Sequence, residues 1–211
     1  MGLRRYLYEA KEMSGTEGPA PAGTEDFEKA GLERLIAALQ ESDDPHVRRY
    51  VVFHLGKNGD PRSIPLLVAS LSDTDKGVRE QAALALSSIG KSAIGPLKKA
   101  MEDPKWETRY RAVEALGKIA DRQVISPLIQ ALHDERDHVR YMAAKGLRDI
   151  QDSQAIEPLI ALLSDENDFV RLMAVKGLSK IGGKNVREAL ELARAREKNG
   201  RVAEAIAEAL K

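Results

Sequence analysis

The stretch FVRLMAVKGLSKIGG, Phe169 to Gly183, carries apolar residues at the spacing of one helix face and ends in two glycines. Close copies precede it: HVRYMAAKGLRDIQD at 138–152, ETRYRAVEALGKIAD at 107–121 and GVREQAALALSSIGK at 77–91. Self-similarity at a fixed period indicates a repeat architecture, in which every unit buries its apolar face against its neighbours. The arginine of this stretch recurs at intervals of 31, 30, 31 and 31 residues, as Arg48, Arg79, Arg109, Arg140 and Arg171.

Each unit contains two helical patterns. In the fifth unit, Ile156, Leu159 and Leu163 fall on one helix face, the turn SDEND follows, and Val170 begins the second helix. No segment alternates with period two, so strands are not expected. The sequence predicts an all-α fold, an α-solenoid (superhelix) of five to six two-helix repeats of about 31 residues. The predicted units are 31–60, 61–91, 92–121, 122–152 and 153–183, with a divergent capping unit at 184–211.

The start of the chain has a different composition. Residues 1–24 combine a short amphipathic segment with a linker rich in Gly and Pro, and we expect the solenoid to occupy 25–211. The amphipathic segment could be disordered, dock on its own solenoid or support self-association with a second copy, and the sequence leaves these alternatives open. A helix of that length is marginal in water by itself.

The overall composition narrows the function classes. Lys plus Arg and Asp plus Glu number 33 each, so bulk charge gives no reason to expect nucleic-acid binding. Cysteine is absent, which removes disulfides and thiolate chemistry and fits a cytoplasmic protein. No apolar run approaches the ~20 residues of a membrane-spanning helix, and we expect no membrane partner.

A second repeated feature pairs acids with the repeated arginines. In four units an aspartate precedes the arginine by six residues, and in the first unit by five. The carboxylates are expected to cap the second helices and face the guanidinium groups. We favour a structural ladder that ties neighbouring repeats together over an anion-binding arginine row, since every arginine comes with an acid. The ladder residues are Asp43, Arg48, Asp73, Arg79, Asp103, Arg109, Asp134, Arg140, Asp165 and Arg171.

The sequence lacks the local motifs of the common enzyme classes. There is no P-loop, no dinucleotide-binding glycine pattern, no H-E-x-x-H and no G-x-S-x-G. Of the four histidines, His133 and His138 share a turn with acids; a metal site is conceivable there, but a solvated charged turn is the better interpretation. We therefore expect no catalytic residue, no metal, no cofactor and no enzymatic activity.

Binding to a protein or peptide is the remaining expectation. Second helices usually line the concave face of a solenoid, and Tyr, Arg and Met suit an adaptable contact surface. The positions one, two and five residues after the repeated arginine are expected to form this surface. The candidate residues are Arg49, Tyr50, Phe53, Tyr110, Arg111, Tyr141, Met142, Lys145, Leu172, Met173 and Lys176. For the methionines, the sequence leaves open whether the side chains are exposed or buried in the core between repeats.

The repeated strings VRxxAAxALGxIGD and AIxPLIxLLxD resemble the short HEAT-like repeats of phycobilisome-lyase type, well over 31–183 and weakly over 184–211. The resemblance implies a helical array that serves as a scaffold or as a chromophore lyase or its chaperone-like subunit. We expect a non-catalytic scaffold that binds a protein, with a bilin or prosthetic-group lyase subunit as the alternative. The His-Glu pairs of the metal-dependent hydroxylase branch are missing: the corresponding slots read Arg49-Tyr50, Glu80-Gln81, Tyr110-Arg111, Tyr141-Met142 and Leu172-Met173.

Overall fold

The computed structural model describes residues 31–211, and within that range the chain forms α-helices joined by turns and one-turn 3-10 segments, without a β-strand. This confirms the all-α prediction. The predictions for the segment 1–24, including self-association, concern residues outside the described range. The described chain divides into two compact units, one ending at Ala115 and the other extending from Leu116 to Lys211.

The helices come in pairs, and odd numbers denote the first helix of a pair. In chain order they are α1 (Leu32–Glu41), α2 (Pro45–Asn58), α3 (Ile64–Ala69), α4 (Lys76–Ile89), α5 (Ile94–Ala100), α6 (Trp106–Ile119), α7 (Ile125–Ala131), α8 (Asp137–Ile150), α9 (Ile156–Ala161), α10 (Asp168–Ile181), α11 (Lys184–Arg196) and α12 (Gly200–Ala209). The second helices from α2 to α10 have 14 residues each, whereas α3, α5, α7 and α9 have only six or seven.

The core of each unit is a row of aliphatic side chains contributed by successive pairs. The repeated leucine and the repeated alanine of the second helix are fully buried in every pair where they occur. These residues are Leu55, Leu86, Leu116, Leu147 and Leu178, and Ala82, Ala112, Ala143 and Ala174. Within the first unit α2 packs on α4, and within the second α8 packs on α10 and α10 on α12. The apolar face of one pair is therefore covered by the next pair along the chain.

Two glycines permit the closest backbone approach in the second unit. A Cβ atom added to Gly146 on α8 would lie 3.1 Å from the Cα of Gly117 and 3.1 Å from a methyl of Leu128. A Cβ on Gly177 of α10 would meet a methyl of Leu159 at 3.0 Å. These positions lie on the buried side of the helices, so a larger residue would force neighbouring backbone or side chains apart.

The repeated arginines join one turn to the next. Arg48 donates through Nε and Nη2 to the two carboxylate oxygens of Asp73, at 2.8 and 2.9 Å, and Arg140 donates in the same way to Asp165, at 2.7 and 3.0 Å. Meanwhile Nη1 of each arginine donates to carbonyl oxygens of the turn before its own helix, such as that of Asp43 for Arg48. One guanidinium group thus hydrogen-bonds both to the turn before its own helix and to the carboxylate of the following repeat.

The helix caps differ from the prediction. The repeated aspartates were expected to cap the second helices, but the N-cap residues are Asp44 for α2, Asp75 for α4 and Asn167 for α10. Asp73 instead accepts the backbone N–H of Asp75, and Asp165 accepts that of Asn167 in the same way. Asp73 and Asp165 lie two residues before the N-cap position and Asp43 lies one residue before it, whereas the capping side chain must adjoin the first helical residue.

Each arginine–carboxylate pair forms one rung of the ladder, and one predicted rung is missing among the described residues. Within residues 31–211, Arg79 and Asp103 form neither a hydrogen bond nor an ion pair, although Arg79 still donates to the carbonyl oxygens of Asp73 and Thr74, at 2.7 and 2.9 Å. The loop between α4 and α5 has four residues, against five in the loops that precede α3, α7 and α9. The missing position is the one where those loops carry an N-capping aspartate, as at Asp60. The arginine and the next aspartate are consequently 24 residues apart, one fewer than in the intact rungs.

The last pair continues the ladder with a different acid. Arg171 binds Glu197 with Nε and Nη2, at 2.8 and 2.9 Å, and the Glu197 side chain is only 6% exposed. Asn199 caps α12 as Asn167 caps α10, and its amide reaches back to Asp168 on the previous second helix. The sequence analysis missed Glu197 because the final unit departs from the repeat pattern and has no Asp at the usual spacing.

The ion pairs shift the ionisation of their carboxyl groups. The hydrogen bond from Arg171 lowers the pKa of Glu197 below its ordinary value, and this outweighs the opposing effect of burial. For Asp73, burial alone would raise the pKa, but the hydrogen bonds from Arg48 and from the N–H of Asp75 outweigh it, so the pKa is lowered. Both groups therefore stabilise the fold in their charged form.

No helix within residues 31–211 has the length and apolar character that crossing a membrane requires.

The absence of an ion pair between Arg79 and Asp103 can be tested by comparing two aspartate variants. Asp165→Asn should lower the free energy of unfolding by about 2–3 kcal/mol, because the buried Arg140 guanidinium then keeps only the longer contact with the exposed Glu166, at 3.3 Å. Asp103→Asn, at the same register, should cost less than about 0.5 kcal/mol, since no arginine of the described chain pairs with it there. Urea unfolding at neutral pH measures both. Equal losses in the two variants would contradict the missing rung.

The lowered pKa of Glu197 predicts how stability depends on pH. Because the folded-state pKa lies below the unfolded value, this group contributes its stability above the unfolded pKa and loses it as the pH falls through the folded pKa. Glu197→Gln should therefore be less stable at neutral pH, and its stability should fall less steeply between about pH 5 and pH 3. Urea midpoints across that range test this. Parallel curves for the variant and the unaltered chain would refute the role of this pair.

Candidate partner-binding face

The candidate residues on the second helices are placed differently in the two compact units. In the first unit, Arg49, Tyr50, Phe53 and Tyr110 are half-buried and leave part of their side chains accessible to a partner. In the second unit, Tyr141, Leu172 and Lys145 are half-buried and Lys176 is exposed. The remaining three candidates, Arg111, Met142 and Met173, are buried. We use the term second-helix strip for the eight accessible residues of this set.

An aromatic cluster lies at the start of the strip. The ring of Tyr50 is 4.5 Å from that of His54, and the ring of Phe53 meets the same imidazole edge-on at 5.2 Å. His54 is only 2% exposed, so the two larger rings and the helices around it bury it. The other second helices carry Ala or Gly at this register, which makes the cluster a feature of the first pair alone. Sequence analysis named His54 only as one of four histidines, because an isolated histidine carries no spacing signal.

The guanidinium of Arg111 is part of the structure of this face and is not a free cation. It lies 2.6 Å from Glu114 and 3.4 Å from Glu80, and the residue is 7% exposed. The ring of Tyr110 lies 5.3 Å from the same guanidinium, and Trp106 approaches Tyr110 edge-on at 6.4 Å. The prediction that Arg111 belongs to an accessible strip is therefore wrong. One carboxylate on the same helix, that of Glu114, and one on α4, that of Glu80, pair with the guanidinium group, which also lies against the ring of Tyr110.

The methionines of the second unit also face inward. Met142 is 6% and Met173 is 4% exposed, so their inclusion in the accessible strip was wrong as well. Both occupy the position two residues after the repeated arginine, and Arg148 on α8 donates to the sulfur of Met173 at 3.4 Å, which shows that this position faces the neighbouring second helix. A flexible thioether fills such an interhelical gap readily. Helical periodicity could not decide this, because the position lies at the border between the buried and the exposed face.

The other predicted ladder residues hold their turns in the same manner. Arg109 donates to the carbonyl oxygens of Asp103 and Pro104, at 3.0 and 3.2 Å, as Arg140 does to those of Asp134 and Glu135. Because these guanidinium groups are occupied by backbone oxygens, the described structure gives the alternative of an anion-binding arginine row no support. Nor do residues 31–211 contain a cluster of three or more His, Cys, Asp or Glu side chains placed to hold a metal ion.

Comparison with known proteins identifies the family. Three overlapping segments, residues 32–99, 94–159 and 125–211, match the family model of HEAT repeats and together cover nearly all of the described chain. This chain belongs to the HEAT-repeat family. The match and the helix pairs confirm the predicted all-α solenoid of two-helix HEAT-like repeats.

The similar HEAT-repeat proteins include lyase subunits. The phycocyanobilin lyase subunit alpha of Picosynechococcus sp. is 36% identical over 102 residues, which make up 44% of this chain and 38% of that protein. The matched part is thus well under half of the curated relative. The structure of the complex of CpcE and CpcF of phycocyanin lyase from Nostoc sp. PCC7120 matches with a TM-score of 0.66 at 25% identity, over 72% of this chain and 100% of that one. These matches confirm the resemblance to HEAT-like repeats of phycobilisome-lyase type.

A third similar structure is a designed armadillo repeat protein in complex with a (KR)4 peptide. Its TM-score is 0.54 at 22% identity, over 86% of this chain and 100% of that one, so it shows the shared fold alone. The CpcE–CpcF structure is a complex of two proteins, in agreement with the expected class of partner. The expected absence of nucleic-acid and membrane partners stays a prediction.

The expectation that this HEAT-repeat protein is not an enzyme has to be corrected. The curated relative is named as a subunit of a lyase, and the solved complex belongs to a lyase. The sequence search failed here because it looked for local catalytic motifs, which depend on fixed spacings in one stretch of chain. In a repeat array the regularly spaced positions serve packing and ion pairing, so residues that serve a reaction need not form such a motif.

Substitutions can separate the accessible from the buried candidates. Tyr110→Ala combined with Tyr141→Ala should leave helix content and cooperative unfolding in place while weakening binding of a protein partner, because both side chains are partly accessible. Met142→Ala should instead cost about 2–4 kcal/mol of stability, as expected for a buried side chain truncated in a tight core. Circular dichroism and urea unfolding measure both. A large loss of helicity in the double tyrosine variant would show that these tyrosines belong to the core.

Proposed function

We propose that this chain is a HEAT-repeat subunit of a lyase that attaches a linear tetrapyrrole to a protein, and that it works together with a second protein subunit. The observation that carries the proposal is the match to the CpcE–CpcF complex of phycocyanin lyase, which extends over the whole length of that chain at a TM-score of 0.66. The 36% identity with a phycocyanobilin lyase subunit over 102 residues supports the same class.

The part of the second-helix strip that lies in the first compact unit is the surface we assign to the protein partner. Tyr50, Phe53 and Tyr110 offer aromatic area with few rotatable bonds, which is the composition that dominates protein interfaces. The buried pairs beneath them, Arg111 with Glu114 and His54 between two rings, hold these aromatic groups in place before binding. A surface ordered in advance loses less conformational entropy on association, so it suits a subunit that has to recognise one partner.

A scaffold without catalytic activity is the competing function, and the two functions predict different outcomes in a pigment-attachment assay. Both bind a protein, but only a lyase subunit raises the yield of covalently attached pigment. The experiment therefore has to measure the pigment–protein bond and not association alone.

Reconstitution tests the proposal. The chain is coexpressed with a CpcF-type second subunit and apo-phycocyanin in a host that makes phycocyanobilin, and zinc-induced fluorescence of denaturing gels reports covalent pigment. We expect pigment on phycocyanin only when this chain is present, and a clear reduction with Tyr110→Ala. Arg187→Ala on α11, an exposed residue outside the strip, is the matched control and should behave as the unaltered chain. Absence of attached pigment, while the CpcE–CpcF pair succeeds in the same host, would contradict the proposal.

A further inference from the structure

A groove runs between the first helices α3 and α5 of the first compact unit. Its volume is about 700 Å³, within the usual ~300–1,000 Å³ range of small-molecule sites. Ile64, Val68 and Ala69 of α3 form one wall and Pro96 and Ala100 of α5 the other, so the groove is mostly apolar. Four polar side chains border it: Ser72, Lys99, Asp103 and Thr108.

Two of the four polar residues on the border, Thr108 and Lys99, differ from the residues at the same register in other pairs. Thr108 occupies the position that is valine in every other pair, as at Val78 and Val139. Lys99 stands where α3 and α9 have alanine and α7 has Gln130, and a Cβ atom added to Gly95 would meet nothing within 4 Å. Packing between repeats does not require these changes, because the other pairs pack without them. Because these residues border the same groove, they indicate that the groove has a function other than packing between repeats.

Asp103 is the ladder aspartate that pairs with no arginine among residues 31–211. In the pairs of Arg48 with Asp73 and of Arg140 with Asp165, both carboxylate oxygens accept hydrogen bonds from one guanidinium group. The carboxylate of Asp103 accepts the backbone N–H of Lys105 at 2.8 Å, and no arginine among residues 31–211 pairs with it. The shorter loop before α5 thus leaves this half-buried acid on the groove wall with capacity to accept further hydrogen bonds.

The two hydroxyl groups close the buried side of the groove. The hydroxyl of Thr108, a residue only 2% exposed, lies 2.8 Å from that of Ser72. A threonine in place of valine costs desolvation unless its hydroxyl is hydrogen-bonded, and Ser72 provides that partner. The pair offers a small polar spot on an otherwise apolar wall, next to Asp103.

We propose that this groove binds the linear tetrapyrrole. The inference rests on the proposed function and deepens it, because it assigns the pigment a place on this subunit. A linear tetrapyrrole has a flat apolar body, pyrrole N–H donors along one edge and two propionate groups. The walls of α3 and α5 fit the body, the carboxylate of Asp103 accepts pyrrole N–H groups, and the ammonium group of Lys99, which also borders the groove, pairs with a propionate.

The groove is better suited to this ligand than to a helix of a partner protein. A docked helix needs a long apolar stripe, whereas α3 and α5 have only six and seven residues and the groove is bordered by both a lysine and an aspartate. A ligand that presents N–H donors and carboxylates on one apolar body matches that combination. Competition by the second subunit is nevertheless an outcome that the experiment has to distinguish.

Direct titration of the purified chain with phycocyanobilin tests the proposal. Absorbance and fluorescence changes of the pigment report binding, and unfolding curves check each variant. Asp103→Asn should weaken binding about tenfold, as expected for loss of one charge-assisted hydrogen-bonding group. Lys99→Glu should weaken it at least as much, and Ala69→Trp, which fills the groove from an exposed position, should abolish it.

Matched controls lie elsewhere in the same helices and register. Lys98→Glu makes the same charge change on the neighbouring exposed residue, which does not line the groove. Ala161→Trp places the same indole at the register of Ala69 on α9. Both should bind phycocyanobilin within twofold of the unaltered chain. Unchanged binding in Ala69→Trp or Asp103→Asn, or equal losses in the controls, would overturn the groove as the site.

The titration and the attachment assay can fail independently. Attachment of pigment by a chain that shows no groove-dependent binding would remove this inference and leave the proposed function intact. Groove-dependent binding without attachment would remove the lyase function and leave a tetrapyrrole site. If Ala69→Trp prevented association with the second subunit but not pigment binding, the groove would be a protein-docking surface and the inference would be wrong.

Discussion

The apolar faces of a single helix pair exceed what that pair can cover, and this constraint governs the whole described chain. Fully buried leucines and alanines at fixed register form the core of each unit, and adjacent pairs supply the opposite wall. Because coverage comes only from the neighbours in sequence, every pair must present the same register as the one before it. The repeated arginine enforces that register: Arg48 and Arg140 each bind their own turn and the carboxylate of the following repeat.

The arginine rungs also explain where the array departs from regularity. A loop shorter by one residue before α5 separates Arg79 from Asp103, and the substitutions in this pair, Thr108 and Lys99, border the same groove. A regular array has all of its acids engaged by arginines and all of its valines in the core. Loss of one rung at little cost to the core is therefore a simple way for a repeat protein to acquire a polar site.

The second-helix strip shows the same division between structure and recognition. Arg111 and the two methionines, which have the side chains most suited to adaptable contacts, are buried, while Tyr50, Tyr110 and Tyr141 remain partly accessible. The imidazole of His54 lies against the ring of Tyr50, and the guanidinium of Arg111 lies against that of Tyr110. Partner recognition and pigment binding would then use different faces, the former on second helices and the latter between first helices.

The sequence by itself determined the helix pairs, their period and the buried leucine and alanine positions, because these follow from helical periodicity and close packing, which are local. It also exposed the one short interval, from Arg79 to Arg109. Only the tertiary structure decided which carboxylate each arginine binds, since the partner lies about 25 residues away in the next repeat. It likewise decided that Arg111 is buried and that Glu197 completes the last rung, because both depend on contacts between neighbouring helix pairs that no spacing within one pair encodes.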